Sequence, residues 1–290
     1  MYNICCIGHI TLDKVVNSNG SVHMAGGTSY YFSKALRHMN VSYSLVTSLA
    51  QSEMQVADEL RNQGITVKAF ISTHSVYFEN IYSDNQDHRT QRVLQKADAF
   101  TIEQLNDVEA EVFHLGPLLA DDISPDVVSY LATKGKISLD VQGYLRKVQG
   151  YEVCAVDWSN KRETLRYVHI LKANDHELEV LTGTNDTHKG AQILASWGVK
   201  EVVVTLGGMG SVIYAEGIFY TIPAYKPSAV VDATGCGDTY MAGYLYQRNK
   251  GAGIQQAGEF AAAMASLKIQ ALGPFNGNGQ TVTDFLAMQN

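Results

Sequence analysis

The chain predicts an α/β fold with a central, mostly parallel sheet and a small β lid. Three observations carry this expectation. Apolar β-like runs alternate with helical patterns through residues 1–66 and again from residue 100 to 222. Residues 67–95 break that rhythm with short β-like segments and no long helix. Two glycine turns, AGGTS and TGCGD, lead directly into apolar helical runs.

The first strand runs from Tyr2 to Ile10, with Gly8 marking its end. Asp13 follows, either as a turn residue or as an acceptor for substrate hydroxyls at a strand's C-terminal end. The polar stretch from Val15 to Met24 reads as a hairpin, and Gly26 and Gly27 then feed a helix whose apolar side holds Tyr31, Phe32, Ala35 and Leu36. Tyr31 is either core or the wall of a pocket. A strand at Val41–Thr47 and a helix at Glu53–Asn62 continue the rhythm.

The segments Val67–Ile71, Val76–Tyr82 and Thr90–Leu94, with a hairpin tip at Ser83–Arg89, form a small separate sheet with the Val15–Met24 hairpin. Such a sheet can cover a site, with Arg89 and Arg92 either solvated or reaching an anionic ligand. The whole chain, 1–290, is read as one domain whose lid comes from insertions at about 14–24 and 67–95.

From Val112 the strands return. Asp140 and Gln142 stand at the end of the strand Ile137–Asp140, and Arg146 is close in sequence. Tyr151–Val156 is apolar but too short to assign. After the strand Tyr167–Leu171, Asn174 and Glu177 have the spacing of a capping box, or of a pair that orders water around a divalent ion. The turn Thr205-Leu-Gly207-Gly-Met-Gly210 joins two strands, so it is neither a dinucleotide fingerprint nor a Walker loop. It still lets a phosphate approach the backbone.

The stretch VDATGCGDTYMAGYLY, 231–246, is the most informative. A glycine turn entering a helix leaves backbone N–H groups for an anion. A carboxylate beside that cradle would repel phosphate, which makes sense if Asp238 takes the proton of an attacking hydroxyl. An ordinary helix start is the alternative.

Composition bounds the rest. The chain is 46% hydrophobic and 18% charged, enough apolar content for a core. Its net charge is -7 with no Lys/Arg block, which argues against nucleic acid as a partner. The start MYNICCIGHI shows neither a signal peptide nor a membrane span, and the expected compartment is the cytoplasm. Cys5, Cys6, Cys154 and Cys236 form no C-x-x-C pair and read as free thiols.

Taken together these pieces resemble the ribokinase-like, or PfkB, family of carbohydrate kinases. The resemblance rests on AGGTSYYFSKAL, Asn174-Asp175-His176-Glu177, TLGGMGS at 205–211 and DATGCGDTYMAGYLY at 232–246, in the family's order across nearly the whole chain. It implies a three-layer α/β/α fold and transfer of the gamma-phosphate of ATP, with Mg2+, to a hydroxyl of a sugar, polyol or nucleoside. It implies Asp238 as catalytic base and the N–H groups of Gly235, Cys236 and Gly237 as an anion hole. Asn174 and Glu177 would hold magnesium through water. Thr205, Gly207 and Gly210 would bind ATP, and Asp13, Gly26, Gly27, Tyr31 and Gln142 the acceptor. Members often use a monovalent cation, usually potassium, and Asp232 with the region of Ala271 and Gly273 would hold it.

Two departures from the pattern bear on specificity. Ala233 replaces the usual threonine, and no asparagine follows the double glycine, where Ser29, Tyr30 and Tyr31 stand instead. DVQGYLR, HLGPLL and the short lid resemble members that phosphorylate inositol or nucleosides. The alternatives are a catalytically silent sugar-binding or regulatory protein on this fold, and a pyridoxal- or hydroxymethylpyrimidine-type kinase. A monomer and a homodimer are both compatible with the sequence.

Overall fold

The computed structural model describes residues 1–17, 20–82 and 89–289. Its larger sheet is built on β1 (Tyr2–Ile7), which alternates its side chains between two cores: Ile4 and Cys6 face one, Cys5 and Ile7 the other. Elements β2 (Thr11–Asn17), β3 (Gly20–Gly26), α1 (Thr28–Leu36), β4 (Tyr43–Ala50), α2 (Gln55–Asn62), β5 (Thr66–Ser72), β6 (Val76–Tyr82) and β7 (Arg89–Gln95) follow. Next come α3 (Ile102–Leu105), β8 (Ala110–Leu115), α4 (Pro125–Ala132), β9 (Lys136–Asp140), β10 (Arg146–Gln149), β11 (Glu152–Ala155), α5 (Lys161–Leu165) and β12 (Val168–Asn174). The chain continues through α6 (Asp175–Thr182), α7 (Thr187–Ser196), β13 (Glu201–Thr205), β14 (Ser211–Ala215), β15 (Ile218–Ile222), α8 (Cys236–Asn249), α9 (Ile254–Lys268) and α10 (Gly279–Ala287).

Among the described residues the larger sheet has the order β15-β14-β13-β12-β9-β8-β1-β4-β5. It is parallel from β13 to β5, and β14 and β15 are antiparallel. One face carries α1, α2, α8, α9 and α10, and the other carries α3 to α7. This is the expected three-layer α/β/α arrangement with a mostly parallel sheet. Strand order reverses direction at β1, whose chain neighbours go one way to β4 and the other way to β8, so the crevice between β1 and β8 is the topological switch point. The backbones close tightly there. A Cβ on Gly8 would lie 2.6 Å from the carbonyl oxygen of Gly116.

The smaller sheet has the order β10-β11-β7-β6-β2-β3. Its strands leave the larger sheet after β1, β5 and β9, so it hangs from the C-terminal ends of three parallel strands. One expectation needs correcting, and one open stretch is assigned. Val67–Ile71 belongs to β5, which pairs in parallel with β4 at the edge of the larger sheet, so the 67–95 insertion contributes to the small sheet only from Val76 onward. The unassigned stretch at 151–156 supplies β11, which pairs with β10 and β7. A short apolar run does not encode which of two sheets it joins; that depends on the partner's free edge. The hairpin tip at Ser83–Arg89 falls, over 83–88, outside the described residues. Among those described, no helix is long and apolar enough to cross a membrane, and all four cysteines are free, Cys5 and Cys6 being buried.

Candidate active site

The C-terminal ends of the parallel strands bring the candidate residues together. Asn174 and Thr205 are register partners on β12 and β13, and Lys172 is opposite Asp140 on β12 and β9. Lys172 Nζ lies 3.0 Å from Asp140 Oδ2 and 3.7 Å from Glu177 Oε2, with all three side chains buried. Burial alone would lower the Lys172 pKa, but Asp140, Glu177 and Asp238 outweigh it and hold the ammonium charged. A Cβ on Gly237 would meet Lys172 Nζ at 3.4 Å, so this cation lies beside the glycine turn.

Asn174 is the N-cap of α6, and the capping box is complete. Glu177 N–H donates to Asn174 Oδ1 (2.7 Å), and Asn174 N–H donates to Glu177 Oε2 (2.8 Å). Gln142 Nε2 donates to Glu177 Oε1 (3.3 Å), and its N–H to Asp140 Oδ1 (3.1 Å). The cap and the rim cluster are therefore one network. Thr205 Oγ1 donates weakly to the Ala173 carbonyl (3.5 Å). After it, Gly207 and Gly210 have positive φ, and a Cβ on Gly210 would lie 2.2 Å from the Ile222 carbonyl oxygen.

Asp238 is the third residue of α8. The N-cap is Gly235, with φ 75°, and the first helical bond runs from Thr239 N–H to the Gly235 carbonyl (2.9 Å). The N–H groups of Gly237 and Asp238 thus have no helical partner. Cys236 differs from the expectation: its N–H turns back to the Ala233 carbonyl (3.2 Å), which leaves Gly235 and Gly237 as the glycine donors of the turn. Burial, then the charge of Asp140, pushes the Asp238 carboxyl up to about 6, against the lowering effects of Lys172 and a hydrogen bond from Thr28.

Thr28 had no role in the sequence reading. It is wedged between Asp238 and Gly116, where a Cβ would lie 2.5 Å from Thr28 Cγ2. Its position directly after the double glycine, at the start of α1, is the signal that could have found it. Gly27, the N-cap of α1, has φ 87°. A Cβ on Gly26 would come within 2.7 Å of Asp13 Oδ2, so Asp13 closes over the double glycine from β2. Of the two places the sequence leaves open for Tyr31, core and pocket wall, the structure shows the core. It is buried, and a Cβ on Gly235 would overlap its ring at 2.2 Å, so the ring supports the turn from beneath rather than lining open space.

One face of the small sheet looks onto this rim. Phe78 on β6 and Val93 on β7 pack against Leu118 and Leu119 of the main body. Asp13 is in register with Phe78, and Asn80 and Gln91 stand two residues further along the same face. Asn80 is buried, and its Oδ1 accepts from Gln91 Nε2 (3.1 Å). Arg92 points the other way, toward Glu79 (3.7 Å). Asn80 and Gln91 also went unread as site residues, and so did the pairing of Asp140, which the sequence places only at the rim, with Lys172. The signal for the last two was a charged side chain closing an apolar strand, in ISLD and HILKAN.

The model of the pfkB family of carbohydrate kinases matches residues 2–279. The chain is 25% identical over 272 residues to a cytidine kinase of Thermococcus kodakarensis, covering 88% of this chain and 92% of that protein. It is 24% identical to a nucleoside kinase of Methanocaldococcus jannaschii, over 94% of this chain and 92% of that protein. Among solved structures it superimposes on a pyrophosphate-dependent kinase of the ribokinase family with a TM-score of 0.85 and 30% identity, covering 94% of this chain and 97% of the other. It matches a variant of a pyrophosphate-dependent myo-inositol kinase with a TM-score of 0.84 and 26% identity, over 98% of each chain. With a glycine-turn cradle at the switch-point rim and a family match along almost its whole length, the chain belongs to the pfkB family of carbohydrate kinases.

Proposed function

We propose that this kinase moves the gamma-phosphate of ATP to a hydroxyl of a sugar, polyol or nucleoside, with Asp238 as general base. The observation that carries this reading is the half-buried Asp238 carboxyl at the start of α8, held by Thr28, facing Lys172 and pushed up to about 6. A base with that affinity is ionised at neutral pH yet accepts a proton readily. As the acceptor oxygen bonds to phosphorus, its proton passes to Asp238, and the electron pair of the breaking P–O bond leaves with ADP. The Gly235 and Gly237 N–H groups and the positive end of α8 face the transferred phosphoryl. Lys172 offsets part of the charge that gathers there.

The donor set fits magnesium held through water. Among the described residues Asp140, Glu177 and Asp238 oppose a single ammonium, so a bare polyphosphate would meet net repulsion. Among the described residues no group of three His, Cys, Asp or Glu gathers to ligate a metal directly. Asn174 and Glu177 would orient the ion's water shell, and the ion would neutralise charge on the phosphates. Asp13, Asn80 and Gln91, on the inward face of the small sheet, would read the acceptor's hydroxyls, with that sheet serving as a lid.

ATP is favoured as donor by three exposed apolar side chains, Met209 on the turn after β13 and Val230 and Leu272 on the loops around Asp232, at 74%, 75% and 80% exposure. A nucleobase would cover such surface and pyrophosphate would not. The second reading, a pyrophosphate donor with an inositol acceptor, is favoured by the 30% identity to a pyrophosphate-dependent kinase and the 29% identity to one complexed with a pyrophosphate analog and myo-inositol. Product formation with ATP and with pyrophosphate, over a panel of sugars, inositols and nucleosides, decides between them. Turnover with ATP and at least one of these acceptors is expected. Binding across the panel without turnover from either donor would overturn the kinase assignment.

The pH profile is a further test. With Asp238 as base, kcat/KM is expected to fall about tenfold for each pH unit below about 6 and to level off above it. A profile flat through that window would remove Asp238 from the base's role.

A further inference from the structure

The loop that leads into α8 was expected to need a monovalent cation at Asp232. The oxygens of Asp232 do not fit that group, because they are already taken. Lys268 Nζ donates to the Asp232 carbonyl oxygen (2.7 Å) and to its Oδ2 (2.9 Å). Gly273 N–H donates to the same Oδ2 (3.2 Å), and Thr234 N–H to Oδ1 (2.9 Å). The Lys268 side chain is 0% exposed. Burial would raise the Asp232 pKa, but the hydrogen bonds from Lys268 and Thr234 overcome it and hold the carboxylate ionised.

We propose that the Lys268 ammonium is a built-in substitute for the monovalent cation, so that this kinase works without potassium. The argument is one of charge and place. An ammonium and a potassium ion carry the same charge and seek the same oxygens. The chain delivers its cation covalently, from the last residue of α9, to the carbonyl and the carboxylate that a bound cation would need. A second cation at these atoms would meet like charge in a buried place. The ammonium also lies 5.8 Å from the centre of the Tyr31 ring, and that ring supports Gly235. Lys268 is thus a positioning residue. It fixes Asp232, and through Asp232 and Tyr31 the backbone of the glycine turn.

The proposal rests on the phosphotransfer reading only for its kinetic arm, so its thermal arm uses the protein alone. Thermal unfolding of the wild type, with tetramethylammonium exchanged for potassium at constant ionic strength, is expected to give an unchanged Tm. A potassium-specific rise would report an ion bound to the native state and overturn the proposal. In the kinetic arm, wild-type rates are expected to be equal in the two salts. Lys268→Met is expected to lose about 100-fold in kcat in tetramethylammonium, the cost of misplacing a reacting group by roughly 1 Å, and to regain part of it in potassium or ammonium. Full activity of Lys268→Met without either ion would overturn the proposal, as would potassium activation of the wild type. Should Lys268→Met fail to fold, the wild-type Tm comparison still decides.

Discussion

Replacing Asp238 with asparagine is expected to lower kcat about 100- to 10,000-fold, the range for losing a positioned general base, with little change in donor affinity. The same substitution is expected to stabilise the fold, and the sign follows from the site. The Asp238 carboxyl ionises near 3.8 when unfolded and near 6 when folded. The native state therefore holds its proton where the unfolded chain has released it. Stability falls as pH rises through that window, and the full penalty is present at pH 7. Asparagine keeps a hydrogen-bonding partner for Thr28 and carries no charge to desolvate. Thermal melts at pH 7 are expected to show a gain of about 2–3 kcal/mol. Kinetics and melts that move in opposite directions separate a strained catalytic carboxylate from a structural one. Near-normal turnover in Asp238→Asn would sink the assignment.

The second large effect is expected at Lys172. Lys172→Met keeps the side-chain volume and removes the ammonium that faces Asp140, Glu177 and Asp238. Breaking a buried pair from one side costs about 3–5 kcal/mol, because the remaining carboxylates stay desolvated. The kinetic consequence is more specific. With Lys172 gone, its lowering effect on Asp238 disappears, so the acidic limb of the pH–rate profile is expected to move to higher pH. A variant that is merely less stable would lose amplitude and keep the limb where it was. A global fit of kcat/KM against pH for the two proteins separates these outcomes.

Much of this architecture was legible in the sequence, for identifiable reasons. The glycine turns at Gly26, Gly27, Gly207, Gly210 and Gly235 stand out because side chains would collide or strain there, as the Gly210 and Gly235 geometries bear out. The strand–helix alternation located the sheet, since each central strand must be apolar on both faces. What was not legible depended on distant partners. Val67–Ile71 has the same local character whether it pairs with β4 or with the small sheet. Lys172 reads as one charge in an apolar strand until the register places it opposite Asp140. Lys268 ends an alanine-rich helix, where a cation is ordinary. Only the fold reveals that its ammonium turns inward, onto Asp232.

The packing of α1 has a consequence for how the protein is made. Phe32, Ala35 and Leu36 share a buried cluster with Tyr240, Met241, Tyr244 and Leu245 of α8, the helix that packs on α1. On the ribosome, α1, which ends at Leu36, emerges well before α8, which begins at Cys236. A nascent chain therefore carries an uncovered apolar helix face while the residues between the two helices are made, the kind of surface that chaperones hold and aggregates recruit. The helix that finally covers it is the one that brings in Asp238. Completion of the core and delivery of the proposed base are thus one event, and a prematurely terminated chain is expected to be inactive rather than partly active.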